Sequence, residues 1–195
     1  MSSITFNPML TTNSQNSFIL ESQGYIQGMS LDNQPSRMQR KQGQLLSTSA
    51  KPVYGGMMVN ELTPDIGSGE NPIVQLATTQ VAKFAFTVFD GVYNAIILNG
   101  NTVPIVYPGM SCQYFRNGNF ARIPVLCAPA LAATLENNFN QVVYWDFVNQ
   151  QLLGTGTTPL PCQIVALDSN SLTVSFNPTT GAYSWVLGTV DVIEF

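Results

Sequence analysis

The sequence predicts a mainly β protein, a sandwich or barrel of short strands, with at most one short helix and an extended N-terminal arm. Three observations lead there. Short apolar runs recur at roughly 8–12-residue spacing along most of the chain. Each is bounded by Gly, Pro, Asn or Asp, the residues that supply turn geometry. Only one stretch, Ala128 to Phe139, has a run of good helix formers, following Pro129 and ending in Asn137-Asn138.

The composition changes near residue 50. Residues 1–50 are rich in Gln, Asn, Ser and Thr. Their larger apolar groups, such as Phe6, Phe18, Tyr25, Leu31 and Leu45, follow no sustained period. This is too little apolar surface for an independent core, so the segment is expected to be an extended arm, with the β domain over 51–195. Arg37, Arg40, Lys41 and Lys51 are four of the seven basic residues of the chain and cluster here. Two readings fit that cluster: a solvated loop, or an arm lying on an acidic partner surface.

From Lys51 onward the pattern is β. Phe84, Phe86 and Val88 alternate with Lys83, Ala85 and Thr87, as on a strand with one face more deeply buried. Further strands are expected at Val92 to Leu98, Val103 to Tyr107, Arg122 to Cys127, Gln141 to Phe147 and Cys162 to Leu167. Arg116-Asn117-Gly118-Asn119 carries a hairpin-turn signal between Cys112–Arg116 and Phe120–Cys127. A second hairpin is expected at the end: Leu172, Val174 and Phe176, a turn at Asn177 to Gly181, and a return through Tyr183 to Leu187. A last strand, Thr189 to Phe195, then ties the C-terminus into the sheet. Gly55-Gly56, before Met57, suits a close backbone approach or a sharp turn into the domain.

Charge and composition restrict function. Apolar residues make up 45% of the 195, enough for a core, while charged residues are only 9%, far below the ~25% of an average soluble domain. The polar surface must therefore come from amides and hydroxyls, which repel one another weakly and favour docking or self-association. A net charge of −4 argues against nucleic acid as a partner. No signal peptide and no membrane-spanning apolar run is legible. Cys112, Cys127 and Cys162 are too widely spaced for a disulfide framework and read as free thiols in a reducing compartment.

Catalytic signatures are scarce. The chain has no His, which removes every imidazole-based triad and the commonest metal ligand. Neither Lys51 nor Lys83 sits in a Ser-x-x-Lys arrangement. Glu61, Asp65, Asp90, Asp146 and Asp168 can be written as carboxylate pairs for glycoside hydrolysis, but they fall at strand ends and turns, where solvated acids are ordinary. Gly67-Ser68-Gly69 and Gly154-Thr155-Gly156 lack a Walker lysine and read as turns. No catalytic, cofactor-binding or metal-binding residue is therefore assigned. Tyr144, Trp145, Phe147 and Trp185 are candidates either for the core or for an interface. Trp145 and Trp185 could also stack on sugar rings.

Two segments carry a resemblance. Lys51-Pro52-Val53-Tyr54-Gly55-Gly56-Met57 follows the Gln-rich arm, and Val142-Val143-Tyr144-Trp145-Asp146-Phe147-Val148-Asn149-Gln150-Gln151-Leu152 precedes the terminal hairpin with Trp185. In this order they resemble the structural cement proteins that decorate the capsids of some tailed bacteriophages. The likeness covers roughly residues 40–195. It implies a small antiparallel β-barrel or jelly-roll-like sandwich without catalytic residues or cofactor. It also implies a homodimer or homotrimer on the capsid exterior, bound to the major capsid protein, made and assembled in the host cytoplasm. On this reading Arg37, Arg40, Lys41 and Lys51 would contact the capsid, and Tyr144, Trp145 and Trp185 would be interface aromatics. A tail or receptor-binding β-module of the virion, with or without carbohydrate binding, is the alternative.

Overall fold

The computed structural model describes residues 24–31, 39–62, 72–88, 103–135, 138 and 140–195. The run expected as a strand at Val92 to Leu98, and Arg37, lie outside the described residues. The protein is mainly β. Strands β1 (Lys41–Leu45), β2 (Met58–Leu62), β3 (Ile73–Leu76), β4 (Phe84–Val88) and β5 (Ser111–Arg116) close a barrel in the order β1-β3-β2-β4-β5. Its pairings are antiparallel except β1 with β3. β6 (Arg122–Leu126), β10 (Ala182–Glu194) and β9 (Gln163–Asn177) form a second sheet in the order β6-β10-β9, and β7 (Tyr144–Asp146) pairs with β8 (Gln151–Leu153). The expected helix is present but short, α1 (Pro129–Leu135), and buries Leu131 and Leu135.

The barrel is filled by side chains. Leu45, Val59, Val74, Ala85, Cys112 and Tyr114 are buried together in its interior. The Tyr114 ring takes much of that space, and Gly43 on β1 leaves room for it: a Cβ there would lie 3.0 Å from the ring and 2.8 Å from Pro72 O. At one end, Arg116 on β5 donates to both carboxylate oxygens of Glu61 on β2. The guanidinium bonded to it holds the Glu61 carboxyl below the usual range.

The larger core lies outside the barrel. Alternation along β4 sends Ala85 inward and Phe84 and Phe86 outward, and all five residues of the strand are buried. Expecting one deeply buried face was therefore too modest, because both faces are covered. The outward side chains meet Ile123 and Val125 of β6, Leu152 of β8, Ile193 of β10 and helix residue Leu131. Phe195 also enters this core, its ring 4.7 Å from that of Phe86.

Several sequence expectations are redrawn. The turn at Arg116 to Asn119 is real, with Gly118 at φ 88° and Phe120 at φ 53°, but it is not a hairpin turn. β5 pairs with β1 and β4, whereas β6 pairs with β10, so this turn carries the chain from the barrel to the second sheet. Val103 to Tyr107 contributes bridge positions at Ile105 and Val106, the latter paired with Val53, in place of a strand among the described residues. The strand expected at Cys162 to Leu167 begins at Gln163 and runs on through Leu172 to Phe176 as one continuous 15-residue strand, β9. The expected last strand likewise merges with the hairpin return into β10, with a register shift between Gly188 and Val190 that preserves the pairing through a local irregularity.

The described part of the N-terminal fifty residues is integral to this body. Residues 41–45 are a barrel strand whose Leu45 is fully buried. Residues 24–31 are tied to both edges of the second sheet: Gln27 N donates to Leu172 O (2.9 Å), Gly28 N to Pro124 O (2.7 Å) and Leu31 N to Arg122 O (3.2 Å). A weak apolar period concealed this, since the segment is held by backbone bonds and by a buried Gln27 whose Oε1 accepts from Val174 N. At the crossing, a Cβ on Gly28 (φ 76°) would lie 2.1 Å from the carbonyl carbon of Gly55. The close approach read from Gly55-Gly56 is thus a glycine-on-glycine contact.

One acidic residue sits badly in this core. Asp191 of β10 is fully buried, with the weakly donating Cys127 thiol beside its carboxylate. Burial pushes its pKa up to about 6, and the neighbouring Cys127 thiol offsets little of this.

Two predictions follow from this packing. The raised Asp191 pKa favours folding while the group is protonated. Its contribution is full below about pH 4, is lost as pH rises through about 6, and amounts to roughly 3 kcal/mol. Urea denaturation across pH 4–7 should show that decline in the native protein and its removal in Asp191→Asn. Gly28→Ala should destabilise by more than about 2 kcal/mol, because the backbone of Gly55 cannot yield, while Gly118→Ala, facing open space, should cost about 1 kcal/mol. Equal losses in the two variants would show that the crossing is not tightly packed.

Candidate functional site

The two sequence segments that carry the resemblance meet in space. They line one groove of about 940 Å³, between the rim of the barrel, the β7–β8 turn and the tip of the terminal hairpin. Lys51, Pro52, Tyr54 and Met57 come from the first segment, and Phe147 to Gln150 from the second. Phe176 and Tyr183, directly opposite each other on β9 and β10, close the far side.

Each wall is held by its own device. The Tyr54-to-Met57 turn is clamped by Thr87 of β4, whose buried hydroxyl accepts from Met57 N (3.0 Å) and donates to Tyr54 O (2.5 Å). Gly56 at φ 81° completes the turn, with its N–H on Thr87 O. The β7–β8 turn is shaped by Asp146, whose Oδ1 accepts from Val148 N (2.8 Å) and Asn149 N (3.2 Å). Gln150 pins this turn to the barrel. Its Oε1 accepts from Met58 N (2.9 Å) and Trp145 Nε1 (3.4 Å), and its Nε2 donates to Phe147 O (3.0 Å) and Ala77 O (3.4 Å). Gln150 is buried and left-handed at φ 53°, a strained conformation for a residue with a side chain. The hairpin turn is fixed by Asn177, whose Oδ1 accepts from Thr179 N (2.9 Å), and by Gly181.

The groove is aromatic and nearly uncharged. The ring of Tyr183 lies 5.8 Å from Tyr54 and 4.8 Å from Phe176, tilted by 54° and 40°. Tyr107 and Phe147 add two more rings, and Lys51 is the one charged side chain among the described residues of the wall. Burial pushes the Tyr54 phenol up to about 12, with Tyr183 adding to the effect; burial raises Tyr183 as well. These phenols are neutral hydrogen-bonding groups at ordinary pH.

The residues singled out from sequence are dispersed. Lys41 is exposed at the start of β1, near the Glu61–Arg116 pair, whereas Lys51 lies past the other end of that strand in the groove wall. Arg40 is half-buried, so the described members of the basic cluster do not form one exposed patch. Trp145, read as an interface candidate, is 5% exposed and packs on Phe86 at 5.1 Å, so it belongs to the core. Tyr144 is half-buried against Gly156, where a Cβ would lie 2.7 Å from its side chain. Trp185 is half-buried and packs with Tyr54, Tyr107 and Tyr183 on a small cluster of Val103, Ile105 and Val174, behind the groove. Sequence reading passed over Tyr107, Phe176 and Tyr183. The usable signal was the hairpin register, which places Phe176 and Tyr183 opposite each other near the turn.

The cysteines are unreactive by environment. Burial pushes Cys112 and Cys162 up to about 12 and raises Cys127 further, so all three are protonated thiols at neutral pH. Among the described residues, no three of His, Cys, Asp and Glu gather as a metal set. No described helix is long and apolar enough to cross a membrane. No protein-family model matches the chain, and neither a curated protein nor a solved structure matches it.

Truncating the pin tests this construction. Gln150→Ala should cost roughly 2–4 kcal/mol, since it strands buried backbone groups on two elements. Urea denaturation would measure the loss, and Trp145 fluorescence should shift to the red as the turn loosens. A loss under about 1 kcal/mol with unchanged emission would mean that the turn is held without Gln150.

Proposed function

We propose that this chain is a non-enzymatic structural protein of a tailed-phage virion. It attaches to the outside of the capsid shell, alone or as a homo-oligomer, and cements contacts between major capsid subunits against internal DNA pressure. One observation carries the reading. On the distal half of β10, Val186 and Leu187 are 41% and 61% exposed, and as consecutive strand residues they point to opposite faces. The hairpin therefore extends beyond what the other described residues cover, with apolar side chains on both sides. Such uncovered apolar surface marks a docking element. Phe120, 75% exposed at the corner between barrel and second sheet, adds a further apolar contact point.

The low charge supports the same reading. Seven basic and eleven acidic residues in 195 leave a surface that can sit among identical neighbours with little like-charge repulsion. The two segments that resemble phage cement proteins also build the groove together, so the likeness falls on a structural unit.

Quantitative mass spectrometry of purified virions tests the proposal. The expected result is a simple whole-number ratio to the major capsid protein, reduced on virions assembled with Leu187→Asp. A few copies per particle, with labelled antibody on the tail, would assign the protein to the tail instead. Absence from virions would overturn the proposal.

A further inference from the structure

We propose that the groove between the barrel rim, the β7–β8 turn and the hairpin tip is a binding site for a neutral saccharide. This goes beyond attachment to a shell and does not depend on it. The volume, about 940 Å³, is at the upper end of the range for small-ligand sites.

The lining selects the chemistry. A pyranose ring has apolar C–H faces and a rim of hydroxyls. The faces require aromatic rings, whose negative π-surfaces attract C–H groups. The hydroxyls require side chains that can both donate and accept, which amides and hydroxyls do. The groove supplies both. Phe176 is 51% exposed beside the half-buried Tyr183 and Tyr54, so aromatic surface faces the groove. Gln75, Thr78 and Asn149 are exposed on the opposite wall.

Charge separates neutral sugars from acidic ones. Among the described residues that line the groove there is no carboxylate, and Lys51 is the one cation. A sulfated or sialylated chain would call for several cations, usually arginines in paired geometry. The described lining offers no carboxyl to protonate a glycosidic oxygen, so the proposal is one of holding a sugar and not of cleaving it.

Saturation-transfer NMR on the full chain provides the test. The probes are glucose, mannose, galactose and N-acetylglucosamine oligomers at millimolar concentration, a sialylated and a sulfated oligosaccharide, and decaproline. The expected result is saturable binding of at least one neutral series, weakened about tenfold by Phe176→Ala and by Gln75→Ala. Both residues are exposed, so neither change threatens the fold. Phe120→Ala, on an exposed aromatic that is not part of the groove, should leave binding unchanged. No binding of any neutral oligomer, binding insensitive to both groove variants, or binding of only the charged sugars or decaproline would each overturn the proposal.

Discussion

The barrel wall at β4 is covered on both sides, and most of the fold depends on that. Ala85 faces a barrel interior filled by Tyr114, and Phe84 and Phe86 face a second core closed by β6, β8, β10 and the helix. A five-stranded barrel of this size has too little interior to stabilise a chain of this length by itself. Its outer surface is therefore used again, as the floor of a larger core. Any element that slipped would uncover aromatic surface on one side or the other, so the two cores fix each other's register.

The glycine crossing extends the same constraint to the N-terminal side. Residues 24–31 add few large apolar groups, yet they bond to both edges of the second sheet and pass within backbone contact of Gly55. This covers strand edges that would otherwise be open to pairing with another chain. It also sets the Tyr54-to-Met57 turn, and through Thr87 that turn is fastened to β4. The groove inherits its shape from this chain of contacts: a glycine contact behind it, a buried threonine below it, and a strained glutamine on its far wall.

The electrostatics are those of a quiet protein. Ion pairs join Glu61 to Arg116 and Glu194 to Arg122, and the thiols are held protonated by burial. The exception is Asp191, a carboxyl buried beside two cysteine thiols. Such a group makes the body more stable in mildly acidic surroundings than in neutral ones, a direct consequence of its desolvation.

Read alone, the sequence determined what depends on neighbours along the chain. Alternation at Phe84 to Val88, the turn residues of the terminal hairpin, the short helix after Pro129 and the closeness of Gly55-Gly56 are all local signals, and they specified a mainly β body. The missing histidine likewise removed imidazole chemistry without any coordinates. Tertiary structure decided what depends on the burial of a second face. The turn at Gly118 looks the same whether it joins two paired strands or rounds a corner between sheets. Only the competing partners, β1 and β4 for β5 and β10 for β6, resolve it. Trp145 became core because Phe86 comes from a distant strand to meet it. The groove residues gather from separate parts of the chain, and no local pattern encodes that meeting, since the contacts that produce it are made only when both cores have closed.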